Sequence, residues 1–242
     1  MTYALKPIAA ADGLVVDTVT KLTAGEAKAL YDAGVRAVVR YCPLPGNGVG
    51  WDLTAEELAA DTAAGLAVVV VQHPRAPSQN VIDEATGEAD AKRAIEYCAA
   101  IGYGPGASLV LDMEGVRSTR TADAHASAWC VTARLAGYRP VIYVGYDSGL
   151  STAQLAAMGD DVEYWCDAGA YGARPTPPRK FAWKQHMQST LAGVGVDRDD
   201  VLVDGAVVGW VAVQDVVLDP ADPTQPMPPL PFSPDTQPPG AA

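Results

Sequence analysis

Basic residues are scarce in this chain: 17 Lys and Arg face 29 Asp and Glu across 242 residues, a formal net charge of −12. A surface of that sign repels phosphate backbones and anionic lipid, so nucleic acid is not an expected partner. It also weighs against simple attraction to anionic cell walls. Long apolar runs are missing as well. No stretch approaches the roughly 18 residues of a membrane span, and the opening MTYALKPIAAADG lacks a basic start leading into an apolar core. Neither a membrane span nor a secretion signal is expected. Histidines number three and cysteines four. Cys42, Cys98, Cys130 and Cys166 form no pair at zinc or redox spacing, and His73, His125 and His186 belong to different predicted elements. No metal site is expected. The cysteines read as buried free thiols, with Cys98 and Cys130, on successive predicted helices, the pair placed to meet. A Gly-rich phosphate turn is absent too, since the first predicted strand runs on as VVDTVT. No cofactor is expected.

What the chain does have is apolar residues, 49% of the total, enough for a large single core. They fall in short runs that alternate with capped amphipathic stretches. Strands are predicted over 14–17, 35–41, 66–72, 108–115, 140–146, 162–167, 181–187 and 193–197. Helices are predicted over 23–33, 53–64, 87–101, 122–136 and 151–158, with Thr23/Glu26 and Thr54/Glu57 at capping-box spacing and Gly34, Gly65 and Gly102 as stops. Eight strands with helical links, the last ones eroded to a Pro-rich stretch around 174–178, predict a (β/α)8 TIM-like barrel over 13–218 with its last helices short or missing. A doubly wound open sheet is the alternative. Residues 1–12 form a leading segment. From Asp219 the chain holds nine prolines in 24 residues. That composition predicts an extended polyproline-type tail over 219–242 that tethers the barrel to a protein assembly partner.

The most informative stretch is SLVLDMEG, residues 108–115. An uninterrupted apolar run reads as a strand buried on both faces, and Asp112 and Glu114 close its carboxyl end. Residues two apart on a strand share a face, about 6.5 Å between Cα atoms. Carboxylates that close predict a raised pKa on one of them, the property a general acid needs. In a barrel the site gathers at strand ends, where Asp17 closes the first strand and Asp197 the eighth. Closure sets these two side by side, across the mouth from Asp112 and Glu114. Arg40, Tyr41, Gln72, Tyr143, Tyr146, Trp165, Trp183 and Gln185 join them as candidate substrate-binding residues, a mixture of aromatic faces and hydrogen-bonding groups suited to sugar rings. Acids without a histidine set, a metal set or a phosphate loop favour glycosidic-bond chemistry over peptide or phosphoester cleavage.

The strand-borne Asp112/Glu114 pair, the acid closing the first strand and the run FAWKQHMQSTLAGVGVDRDD resemble the glycoside hydrolase family 25 muramidases. Segments VVRYC and GLAVVVVQ are more similar still to the related glycoside-hydrolase-like domain of unknown function, and the resemblance spans roughly 13–200. It implies a lysozyme-like barrel acting on an N-acetylated glycan such as peptidoglycan. In it Glu114 would be the general acid, Asp112 would orient the acetamido group or stabilise charge at the anomeric carbon, and Asp17 and Asp197 would line the sugar site. Two departures stand out: Gly13 lies four residues before Asp17 where the muramidases place it two before, and WKQH separates Trp183 from Gln185 where they adjoin. A second expectation is a barrel that grips glycan without cutting it, as part of a phage virion tail or a cell-surface assembly.

Overall fold

The computed structural model describes residues 2–44, 50–75, 82–116, 120–167, 177 and 180–213. The Pro-rich tail and most of the 174–178 stretch lie outside them. Ten strands and five α-helices are seen among the described residues. Strands β1 (Thr2–Pro7), β2 (Leu14–Asp17), β3 (Val35–Cys42), β4 (Ala67–Gln72) and β5 (Ser108–Asp112) precede β6 (Arg139–Val144), β7 (Glu163–Cys166), β8 (Trp183–Leu191), β9 (Val194–Val201) and β10 (Val208–Val213). Strands β2 to β9 close into an eight-stranded barrel in sequence order, with β9 returning to β2. Outside it lie α1 (Ala24–Asp32), α2 (Ala55–Ala63), α3 (Glu84–Ile101), α4 (Ala122–Leu135) and the one-turn α5 (Thr152–Ala156).

Helix starts follow the capping chemistry. Thr23 and Thr54 each accept a bond from the backbone N–H three residues on, as do Asp83 and Ser151. The 87–101 helix therefore begins earlier than predicted, at the Asp83 cap. Cys98 and Cys130 are unbonded and buried, as are Cys42 and Cys166.

Two corrections concern the strands. First, the barrel is not parallel throughout: β9 runs antiparallel to both β8 and β2. Only Ala192 and Gly193 separate β8 from β9, and both have positive φ (50° and 84°). A two-residue link can close a hairpin but cannot make the crossover that a parallel strand requires. The predicted short strands 181–187 and 193–197 are thus the two arms of one longer hairpin. Asp197 consequently sits in mid-strand rather than at a strand end. Second, the leading segment contains a strand absent from the sequence expectation, over residues 2–7. They pair with β10 in six antiparallel positions, from Thr2↔Val213 to Pro7↔Val208, and Trp210 of β10 reaches Val68 at the start of β4.

Strand alternation separates two cores. Val15, Ala37, Val39, Ala67, Val69, Val71, Val110, Val141, Trp165 and Trp183 fill the barrel interior, and Ile8 and Val207 close its floor. Val16, Val38, Val68, Val70, Leu109, Leu111 and Ile142 point the other way, against the helices. The same parity decides where every polar residue on these strands can point.

Candidate active site

Parity assigns Asp17, Tyr41, Asp112, Tyr143, Trp165, Trp183, Gln185 and Asp197 to the lumen at its carboxyl mouth, because each alternates with lumen residues of its own strand. It assigns Arg40 and Gln72 to the helix layer. Arg40 is fully buried and bonds Glu57 (Nε to Oε1, 2.8 Å), the carbonyl of Thr18 and the carbonyl of Trp51 (2.9 Å). Its charge is neutralised by Glu57, which also accepts from the backbone of Leu22 at 2.7 Å. Gln72 donates to the carbonyl of Asp90 (2.8 Å) and accepts from the indole of Trp129 (2.7 Å). Both therefore brace the wall of the barrel on its helix side, whereas the sequence expectation places them at the mouth. Trp165 and Trp183 lie buried in the lumen, edge to face at 6.2 Å, beneath the mouth rather than on it. Tyr146 stands exposed at the rim, its carbonyl accepting the N–H of Gly115.

At the mouth the pieces are tied together. Asp17 and Asp197 are cross-strand partners. The side-chain amide of Gln185 donates to Asp17 (2.8 Å) and Asp197 (3.4 Å), and its carbonyl accepts from the hydroxyl of Tyr143 (2.5 Å). Across the opening β5 stops at Asp112, whose Oδ1 accepts the backbone N–H of Glu114 at 2.8 Å. Glu114 is thus carried on a turn rather than on the strand itself. That turn lifts it into the opening, where it is exposed, while Asp112 stays buried. Gly145 makes room: a Cβ there would stand 2.7 Å from the Tyr143 ring and 2.9 Å from Glu114 Cβ.

The electrostatics follow from crowding acids into a largely buried mouth. Burial pushes Asp17 up to about 7, against its bond from Gln185 and with Asp197 and Glu114 adding to the rise. Asp112 is driven well above the carboxylate range by burial, with the Glu114 N–H opposing and the charges of Glu114 and Asp17 reinforcing. Glu114 is raised by desolvation first and by the Asp167 charge next, with a bond from Tyr143 opposing and Asp197 adding. Of the pair it is Asp112 that the neighbouring charge helps to raise, as the same-strand argument expects of one of the two, whereas Glu114 is lifted by desolvation and by Asp167. Asp197 is raised by burial. Tyr41 is held neutral by burial and by the charges of Asp17, Asp112, Glu114 and Asp197.

Three residues outside the sequence candidates belong to this constellation. Asp199, two residues beyond Asp197 on the same face, is buried and accepts from the Trp165 indole at 2.8 Å. Its carboxyl is well above the usual range through burial, with Asp17 adding to the rise. Asp167 follows β7 and acts on Glu114 by charge. Gly145 carries no sequence signal beyond its place after a strand. Alternation from Asp197 within VDRDD was the signal available for Asp199. Among the described residues no group of three or more His, Cys, Asp or Glu is arranged to hold a metal ion.

A closed α/β barrel whose mouth collects carboxyls and aromatic hydroxyls defines a glycoside-hydrolase-like protein. The chain belongs to the Rv2525c-like, glycoside hydrolase-like domain family, whose profile matches residues 28–201. Among solved structures it is similar to the Mycobacterium tuberculosis Tat-secreted protein Rv2525c in complex with L-tartrate, with TM-score 0.59 and 20% identity over 79% of this chain and 96% of that one. The modular autolysin LytC from Streptococcus pneumoniae, in complex with a synthetic peptidoglycan ligand, gives TM-score 0.56 and 17% identity over 77% of this chain and 46% of that one. A family 25 glycosyl hydrolase from Bacillus anthracis gives 0.53 and 12% over 78% and 88%. At these identities the likeness establishes the fold. No curated protein sequence matches the chain.

Proposed function

We propose that this barrel cleaves an N-acetylated cell-wall glycan of the peptidoglycan type, with Glu114 as general acid. The observation that carries the reading is one exposed carboxyl with a raised pKa, Glu114, held over the buried Asp112 and Asp17 and the partly buried Asp197. Such a carboxyl holds its proton to higher pH than a free glutamate and still reaches solvent, as proton donation to a leaving oxygen requires. In the proposed step Glu114 protonates the glycosidic oxygen, the bond to the anomeric carbon breaks, and water adds to that carbon as its proton passes to the site. Burial of Asp112 favours the first of its two expected roles. A protonated Asp112, with one oxygen taken by the Glu114 N–H, has its other end to offer an acetamido carbonyl. Asp17, Asp197, Gln185 and Tyr143 form one hydrogen-bonded floor for the sugar. Tat secretion of Rv2525c and the peptidoglycan ligand of LytC support placing the protein outside the cell or at the wall.

The second reading is a barrel that binds glycan without cutting it, in a virion or cell-surface assembly joined through 219–242. The net charge of −12, unfavourable for approach to an anionic wall, is the observation that favours it. Incubation with purified peptidoglycan separates the two. Cleavage predicts new reducing ends, and Glu114→Gln lowers their rate at least about a hundredfold while the variant stays folded and still pellets with the wall. Pelleting without reducing ends selects the binding module. No pelleting and no cleavage removes both.

A further inference from the structure

Among the described residues large apolar side chains at the mouth are few, and Trp51 differs from the other tryptophans. It is 58% exposed, whereas Trp129, Trp165 and Trp183 are buried. An indole left in water is informative when its backbone is fixed, because the anchored chain then has less freedom to lose on binding and a two-torsion side chain adds little. Residues 51–53 are fixed on three sides. The Trp51 carbonyl accepts from buried Arg40 at 2.9 Å, Asp52 meets His73 Nε2 at 3.1 Å, and Leu53 donates to the Tyr41 carbonyl (2.8 Å) and accepts from the Tyr97 hydroxyl (2.7 Å). The same contacts lead back to the acids. His73 stacks on Tyr41 at 4.5 Å, and the Tyr41 hydroxyl feels Asp17, Asp112, Glu114 and Asp197. The contacts Tyr41–His73–Asp52 therefore join the strand that turns Tyr41 into the mouth to the anchored backbone that carries the exposed Trp51 indole.

We propose that Trp51 is an outer subsite, stacking the sugar ring next along a glycan whose N-acetylated unit occupies the acid ring. This deepens the proposed function and rests on it. The occupant is a pyranose rather than a protein because, among the described residues, the exposed feature is a single flat ring flanked by hydrogen-bonding groups, not an extended apolar patch. Asp52 and His73 supply the polar edge. Burial holds His73 down to about 4, so at neutral pH it is uncharged and able to donate to Asp52 or to a sugar hydroxyl.

The test is a titration of ¹⁵N-labelled protein with an N-acetylglucosamine tetrasaccharide, reading the indole N–H of Trp51 and the side-chain amide of Gln185. Both signals are expected to move together, Trp51→Ala to weaken binding about tenfold and Trp51→Phe to restore most of it. A Gln185 shift with a still Trp51 and native affinity in Trp51→Ala overturns the subsite and leaves the proposed function standing. Movement of Trp51 alone detaches the indole from the acid ring and overturns the proposal. No movement of either, with no binding, removes the proposed function and the subsite together.

Discussion

A single buried carboxyl away from the mouth shows how far burial governs this molecule. Asp61 of α2 is fully buried, neither of its side-chain oxygens has a hydrogen-bond partner, and its pKa is pushed up to about 8 by burial, with Glu57 adding and Arg40 opposing. A carboxyl raised in the fold stabilises the protein below its unfolded value near 3.8 and loses that contribution as pH rises through 8. From pH 5 to pH 8 this group alone should remove on the order of 2–4 kcal/mol. Asp61→Asn should abolish that share of the decline, seen as a flatter plot of denaturation free energy against pH. An unchanged plot would show that Asp61 is ionised in the fold. Residue identity was legible in the sequence where chemistry is local, as for Asp112 and Glu114. It was misread where neighbours decide. Arg40 and Tyr41 adjoin at one strand end, yet one belongs to the wall and the other to the lumen, because successive side chains face opposite ways. Fixing the parity from Val39 would have separated them.

Among the elements, capped helices were the clearest, since Thr23 and Thr54 announce themselves by side-chain chemistry within three residues. The β8–β9 hairpin was the least clear. Its turn lacks the usual Asn-Gly or Asp-Gly and uses Ala192 at φ 50°, a conformation with a steric penalty for any side chain. Ala192→Gly should relieve it and raise stability by about 1 kcal/mol, measured as a higher urea midpoint at unchanged slope. A lower midpoint would mean that chain entropy outweighs the relieved strain. The hairpin matters beyond its own stability. It brings Asp197 against Asp17 and Gln185 between them, a juxtaposition that simple closure of a parallel barrel reaches only by bringing two strand ends together.

At the scale of the molecule, the barrel's order of strands was legible because each run is short, apolar and punctuated. The floor was not. Residues 2–7 and 208–213 carry mixed patterns, and their pairing spans almost the whole described chain, beyond the reach of local periodicity. Ile8 is 1% exposed and plugs the interior from below beside Val207. Ile8→Ala should therefore cost about 2–5 kcal/mol, read from chemical denaturation, against a negligible change if the floor were peripheral.

The β1–β10 ribbon has a consequence for how the barrel can be carried. It lies at the starts of β4 and β5, where Trp210 pairs with Val68 and the N–H of Val208 bonds the hydroxyl of Ser108, whereas the acids open at the strands' far ends. Entry at Thr2 and exit at Val213 are cross-strand partners, so both attachments leave from one ribbon. Whatever is joined to either side can therefore hold the barrel by its base and leave the mouth turned outward. A bead or a carrier domain coupled there would present the acid-lined mouth foremost to whatever surface it meets.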